Sequence, residues 1–190
     1  MRFLLSCFVA CCLCACTVKT KDDYAQYLRN NEGVVTYPKQ DGNFCYGMTE
    51  RTRTHHHAVR SWMGGIMNSW EVEFGRVVHA TMQSKDVGMA FAAPLKPLVE
   101  GASCPDLIMF DLINYDFLEN KAKIRLSIRT VLADGRETTK IYYSEGRRQL
   151  GKMYWGKGLA TKSAIQQSTK LAMDSILTSY FNDLTDFRCR

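Results

Sequence analysis

Three consecutive histidines, His55-His56-His57, are the chain's densest set of side chains able to bind a metal. Neighbouring residues point to different sides of a regular strand or helix, so the three cannot converge on one ion there. Glu50 is the only Cys, Asp or Glu close to them, and the close ligand pairs typical of zinc sites are absent. We therefore expect an exposed polar loop and no metal site. His79 stands alone and is expected to be a partly buried packing residue. The stretch Gly151-Lys152-Met153-Tyr154-Trp155-Gly156-Lys157-Gly158 has the Gly-x4-Gly-Lys spacing of a phosphate cradle, but Gly158 occupies the place of the hydroxyl residue that would bind magnesium. The same stretch sets Tyr154 and Trp155 beside Lys152 and Lys157, with Arg147 and Arg148 just ahead. Aromatic rings and positive charge in one Gly-hinged loop suit a membrane or protein interface. These six residues are the expected interaction loop; the alternative is that Trp155 folds back to cap the core. Asp106, Asp111, Asp116 and Glu119 gather around one apolar run, where strand alternation puts Asp106 and Asp116 on one face and Asp111 and Glu119 on the other. That separation makes no acid/base pair, and no Gly-x-Ser-x-Gly elbow is present. The expectation is a protein without catalytic residues or cofactor.

The elements that must position these residues are clearest in the C-terminal half. Residues 107–117 form a long apolar run. Residues 122–132 alternate, with Ala122, Ile124, Leu126, Ile128 and Leu132 facing one side and Lys123, Arg125, Ser127 and Arg129 the other. Asp134-Gly135 supplies a hairpin turn, and residues 138–144 return as a third strand with Ile141 and Tyr143 on one side. A Gly-rich connection then leads to a final helix, where Ile165, Ser168, Ala172, Ile176, Tyr180 and Leu184 keep one apolar face. Upstream, residues 33–37 read as a strand closed by Pro38, and residues 38–60 as loop with one short strand at 44–48. Phe74, Val77, Val78 and Met82 recur at helical spacing, so a helix is expected over 69–83, capped by Ser69. Helices on one face of an antiparallel or mixed sheet make an α+β two-layer domain.

The N-terminus carries one positive charge, a short apolar run from Phe3 to Leu13, and then Cys14-Ala15-Cys16. This is a signal-peptide pattern, and the run is too short to span a bilayer. The expected organisation is a signal peptide at 1–15, a tether from Cys16 to residue 32, and a single domain over 33–190. The charge of +6 is spread along the chain without a dense basic stripe, so nucleic acid is not an expected partner. Five of the eight cysteines lie at or before Cys16; Cys45, Cys104 and Cys189 remain in the folded part, enough for one bridge, with the pairing open.

Leu13-Cys14-Ala15-Cys16 resembles the lipobox of bacterial lipoproteins, in which the cysteine is acylated (palmitate among its chains) before cleavage. Thr17 follows where an Asp would favour inner-membrane retention, so the resemblance implies the periplasmic face of the outer membrane. Pro105-Asp106-Leu107-Ile108, the Asp134-Gly135 hairpin and a helix opening near Ser163-Ala164-Ile165-Gln166-Gln167 further resemble small Gram-negative envelope lipoproteins of the YajG-like kind and auxiliary lipoproteins of envelope transport and assembly systems. The likeness covers residues 60–184. It implies a mixed α/β domain held at the membrane by its lipid anchor, binding other envelope proteins or itself, without catalytic residues. Two other roles are weighed beside it: a lipid- or glycan-binding module using a groove between sheet and helices, and a metal-dependent periplasmic enzyme built on His55–His57.

Overall fold

In a computed structural model of the protein, the structure describes residues 18–20, 23–63, 66–91, 95–99, 104–149 and 157–189, without the side chains of 18–20, 61–68 and 157–159. The central sheet is built on strands β6 (Asp106–Leu118), β7 (Lys121–Val131) and β8 (Glu137–Glu145). They pair antiparallel in sequence order, as the alternating pattern requires. Strand β2 (Phe44–Met48) joins β6 in parallel and β5 (Lys96–Pro97) joins β2, giving a mixed sheet of order β5-β2-β6-β7-β8. The fold is α+β. Gly135 turns β7 into β8 with a φ of 85°, a conformation glycine adopts without strain. The Asp106 carboxylate accepts a hydrogen bond from Ala133 N–H (2.9 Å) and ties that turn to the start of β6.

A long helix, whose label α5 follows chain order (Lys157–Arg188), lies across the inner face of this sheet. The expected stripe is buried as read: Ile165, Ser168, Ala172, Ile176, Tyr180 and Leu184, with Leu177 and Phe181 beside them. They meet Ile108, Phe110, Leu112, Ile124, Leu126 and Ile128, all essentially inaccessible. Burying a side chain of this size is worth roughly 1.5–3 kcal/mol, so this seam is the main source of cohesion. The helix approaches closely at Ser168, whose hydroxyl accepts from Ala122 N–H (2.8 Å). Gly146 passes so near that an added Cβ would collide with the Ser168 backbone. The helix starts earlier than expected: Lys157 and Gly158 belong to its first turn rather than to the loop. One glycine in a helix costs only about 1 kcal/mol, which the long buried stripe outweighs.

The N-terminal half departs further from expectation. A second sheet of order β1-β4-β3 comprises β1 (Val18–Thr20), β3 (His56–Met63) and β4 (Ile66–Glu73). The expected helix over 69–83 is therefore a strand through Glu73 and only then helix α3 (Phe74–Met82), so Ser69 is no cap. Buried Trp70 and Val72 alternate with Ser69, Glu71 and Glu73, and that period of two wins until Phe74. Residues 33–37 form turn and coil, not a strand. The short strand at 44–48 stands as read, and helix α2 (Glu50–Thr54) follows it, capped by Thr49. In the expected tether, helix α1 (Tyr24–Arg29) buries Tyr24 and Leu28 in the common core, so the packed body reaches ahead of residue 33.

A buried ionic cluster locks these parts together. Helix α4 (Lys85–Ala90) supplies Asp86, and α5 supplies Lys170 and Asp174. Lys170 Nζ lies 2.7 Å from Asp174 and 3.9 Å from Asp86, and all three residues are buried. The Tyr37 hydroxyl donates to Asp174 (2.8 Å) and Gly33 N–H to Asp86 (2.6 Å). Burial and the Asp174 charge push the Tyr37 hydroxyl far above its ordinary range, so it stays protonated as a donor.

Candidate functional site

The sequence places its chemistry at several points, and the fold separates them. His55 ends α2, His56 and His57 open β3, so the expected polar loop is a strand start. The period-two pattern of exposed His56, Ala58 and Arg60 around buried Val59 was hidden by the unusual residue type. His56 Nδ1 pairs with Glu71 (3.2 Å), whereas the His57 ring stands edge-on to Tyr115 at 5.2 Å. Burial lowers the pKa of His55, and positive His57 and His56 beside it lower it further. Burial lowers His57 as well, against the pull of Asp116. The folded protein therefore takes up protons at these rings less readily than the unfolded chain. Their contribution to stability is complete above the unfolded value near 6.5 and is lost as pH falls through the lower folded values. The melting temperature is expected to fall as pH drops below about 6.5, and to fall less in a His55→Gln/His57→Gln protein. Equal falls in both would remove these rings as the cause.

The carboxylates do not divide as alternation suggested. A bulge between Leu112 and Asn114 adds one residue to β6. Beyond it the faces exchange, so Tyr115 turns inward and Asp116 stands opposite Lys123 on the outer face, the same face as Asp111. Asp111 is held by Thr49 Oγ1 (2.7 Å) and Arg51 (2.8 Å). Glu119 sits in the two-residue turn to β7 and meets Arg148 at 3.0 Å. Of the expected interaction loop, Arg148 makes that contact, and Arg147 contributes its carbonyl to the Ser168 hydroxyl (3.2 Å). Lys152, Tyr154 and Trp155 lie outside the described residues, as does Cys16, and of Lys157 only the backbone is described.

Two concave features stand out among the described residues. A cleft of about 130 Å3 lies between β8 and α5. It is smaller than the roughly 300 Å3 at which ligand pockets begin, and several of its polar side chains are already bonded to one another. Tyr142 donates to Asp183 (2.8 Å), Lys140 pairs with the same carboxylate (3.0 Å), and Tyr180 bonds Thr130 (2.8 Å). The second is a groove of about 530 Å3 between α1 and α3, within the range of ligand sites. Tyr24, Ala25 and Leu28 line it from α1, and Ala80 from α3. Tyr24 and Leu28 are there because they repeat at i and i+4, which turns both to one side of a short helix.

Charge surrounds this apolar strip. Arg76 pairs with Glu73 (2.6 Å), and Asp23 with Lys162 (2.8 Å). Burial alone would raise the Asp23 carboxyl, but hydrogen bonds from Lys162 and Gln166 bring it below its ordinary value. His79 is exposed rather than packed away, and its Nδ1 lies 2.7 Å from the Tyr46 hydroxyl. Arg29 and Glu32 face the groove with no ion pair or hydrogen bond among the described residues. The groove thus offers an apolar floor with one uncommitted cation and one uncommitted anion at its edge. Sequence reading missed it because α1 was assigned to a tether; the i, i+4 spacing of Tyr24 and Leu28 was the available signal.

No family model matches the chain, and no curated protein matches it. Among solved structures, the crystal structure of protein XCC0632 from Xanthomonas campestris, of family DUF330, aligns at 13% identity over 88% of this chain and 89% of that one, with a TM-score of 0.37. A superposition that loose carries no functional argument.

Proposed function

We propose that this chain is a lipoprotein held at the periplasmic face of the outer membrane, with a non-enzymatic binding or assembly role in the envelope. The observation that carries it is the lipobox-like Leu13-Cys14-Ala15-Cys16, whose last residue lies two positions ahead of the first residue of β1. Two or three acyl chains on one cysteine give stable anchoring where one chain is marginal. Among the described residues no helix is long and apolar enough to cross a membrane. The Cys45–Cys104 bridge supports a location outside the cytosol, where disulfides persist. The open face of the sheet supports a protein partner or self-association, since Leu118, Ile141 and Tyr143 are all more than half exposed there. The groove between α1 and α3 favours the second reading, a lipid-binding module.

Metabolic labelling with an alkyne fatty acid tests the anchor. The native chain is expected to be labelled and to pellet with outer membranes. The Cys16→Ser chain is expected to lose both the label and the membrane. A native chain that stays unlabelled overturns the proposal.

A further inference from the structure

We infer that the groove between α1 and α3 holds a single-chain lipid whose head group carries both a phosphate and an amine. This deepens the proposed function and rests on its lipid anchor for the location of the ligand. The floor supplied by Tyr24, Ala25, Leu28 and Ala80 suits an acyl chain, and the volume of about 530 Å3 matches one chain rather than a full two-chain lipid. The charges specify the head group. Arg76 and Asp23 are each neutralised by a neighbour, Glu73 and Lys162. Arg29 and Glu32 have no such partner among the described residues and stand one turn apart on the groove's edge. A simple anion would satisfy Arg29 and be opposed by Glu32. A zwitterion satisfies both, phosphate on Arg29 with Arg76 and His79 nearby, ammonium on Glu32.

Location favours a lipid over a soluble phosphate ester. Residues 18–20 pair with Asn68, Ser69 and Trp70 in the three-stranded sheet. The strand therefore starts two residues after Cys16, in place of a long free tether. Asp23 at the groove's mouth is seven residue steps along the chain from Cys16, a reach of at most roughly 25 Å. An acylated Cys16 thus holds the groove close to the bilayer surface.

The test uses the full native protein in phosphatidylcholine vesicles with photoactivatable lysophosphatidylethanolamine, followed by peptide mapping. Label is expected on peptides covering residues 23–32 and 76–84. A monoacylglycerol probe and a lysophosphatidylglycerol probe are each expected to label at least fivefold less. Arg29→Glu should reduce labelling at least fivefold, and Ala25→Trp, which fills the groove from an exposed helix position, should abolish it. Label spread over other peptides, equal labelling by the other two probes, or equal labelling of both variants would overturn the inference. Protection by inorganic phosphate alone would overturn the lipid in favour of a free anion. Acylation of Cys16, read by mass in the same sample, separates the two ideas. An acylated chain without groove label sinks only this inference, and groove label on an unacylated chain sinks only the anchor.

Discussion

Replacing Lys170 by methionine is expected to lower the free energy of unfolding by about 3–5 kcal/mol. The substitution keeps the length of the side chain and its packing along α5, so the loss is chiefly electrostatic. Lys170 is the cation between two buried carboxylates, 2.7 Å from Asp174 and 3.9 Å from Asp86. Without it, both negative charges stay buried against the Tyr37 hydroxyl and the Gly33 amide, which donate hydrogen bonds but carry no charge. An isolated buried charge is far more costly than a buried pair, because nothing replaces the lost hydration. The magnitude also reflects what the cluster joins. Asp86 comes from α4, Asp174 from α5, and Tyr37 and Gly33 from the segment between α1 and β2. Adding Asp174→Asn to Lys170→Met removes one of the two stranded charges and is expected to recover part of the loss. Urea unfolding followed by circular dichroism reads all three proteins. A loss under about 1 kcal/mol for Lys170→Met would show that water reaches the cluster and that the lock is not there.

The C-terminal half of this fold was legible because its signals are local. Alternation in β6 and β7, glycine at the β7–β8 turn and the repeating stripe of α5 each specify a structure within a dozen residues. The bulge in β6 was not legible, since nothing in Leu112-Ile113-Asn114 marks an extra residue. That single insertion moved Asp116 to the other face. The N-terminal half was misread where tertiary pairing overrides local pattern. His56 and His57 form a strand because β4 lies alongside, His56 opposite Glu73 and His57 opposite Val72. Trp70 and Val72 were absorbed into a helix whose true apolar face starts at Phe74. The six residues of α1 are too few to be a stable helix alone. They hold their shape because Tyr24 and Leu28 reach a core built from distant segments. Lys170 and Asp174 look like an ordinary surface pair at i, i+4. Only the arrival of Asp86 and Tyr37 buries them. The groove depends on the same kind of long-range encounter, which is why its charged edge was not anticipated.

Removing the bridge between Cys45 and Cys104 is expected to cost about 4 kcal/mol, through the unfolded state more than through lost contacts. The two cysteines are 59 residues apart in sequence. In the chain-entropy account, closing a loop of that length restricts the unfolded ensemble by about this amount. The location makes the restriction useful. Cys45 lies in β2 opposite Leu107, and Cys104 lies two residues before β6 begins. Strands β2 and β6 are parallel, so their pairing must be reached after the chain has passed through α2, β3, β4, α3, α4 and β5. Such non-local pairing carries a large closure cost, which the covalent link removes in advance. Cys189 is an exposed free thiol and could exchange with either partner once the bridge opens, so the comparison belongs in a Cys189→Ser background. There, urea unfolding with and without reductant, and of the Cys45→Ser/Cys104→Ser chain, should give the same lowered stability. The meander β6-β7-β8 with α5 is expected to remain the last part to lose amide protection, because its pairing needs no long loop to close. A reduced protein as stable as the oxidised one would mean that the bridge does not restrain the unfolded chain, and the case it makes for an oxidising compartment would go with it.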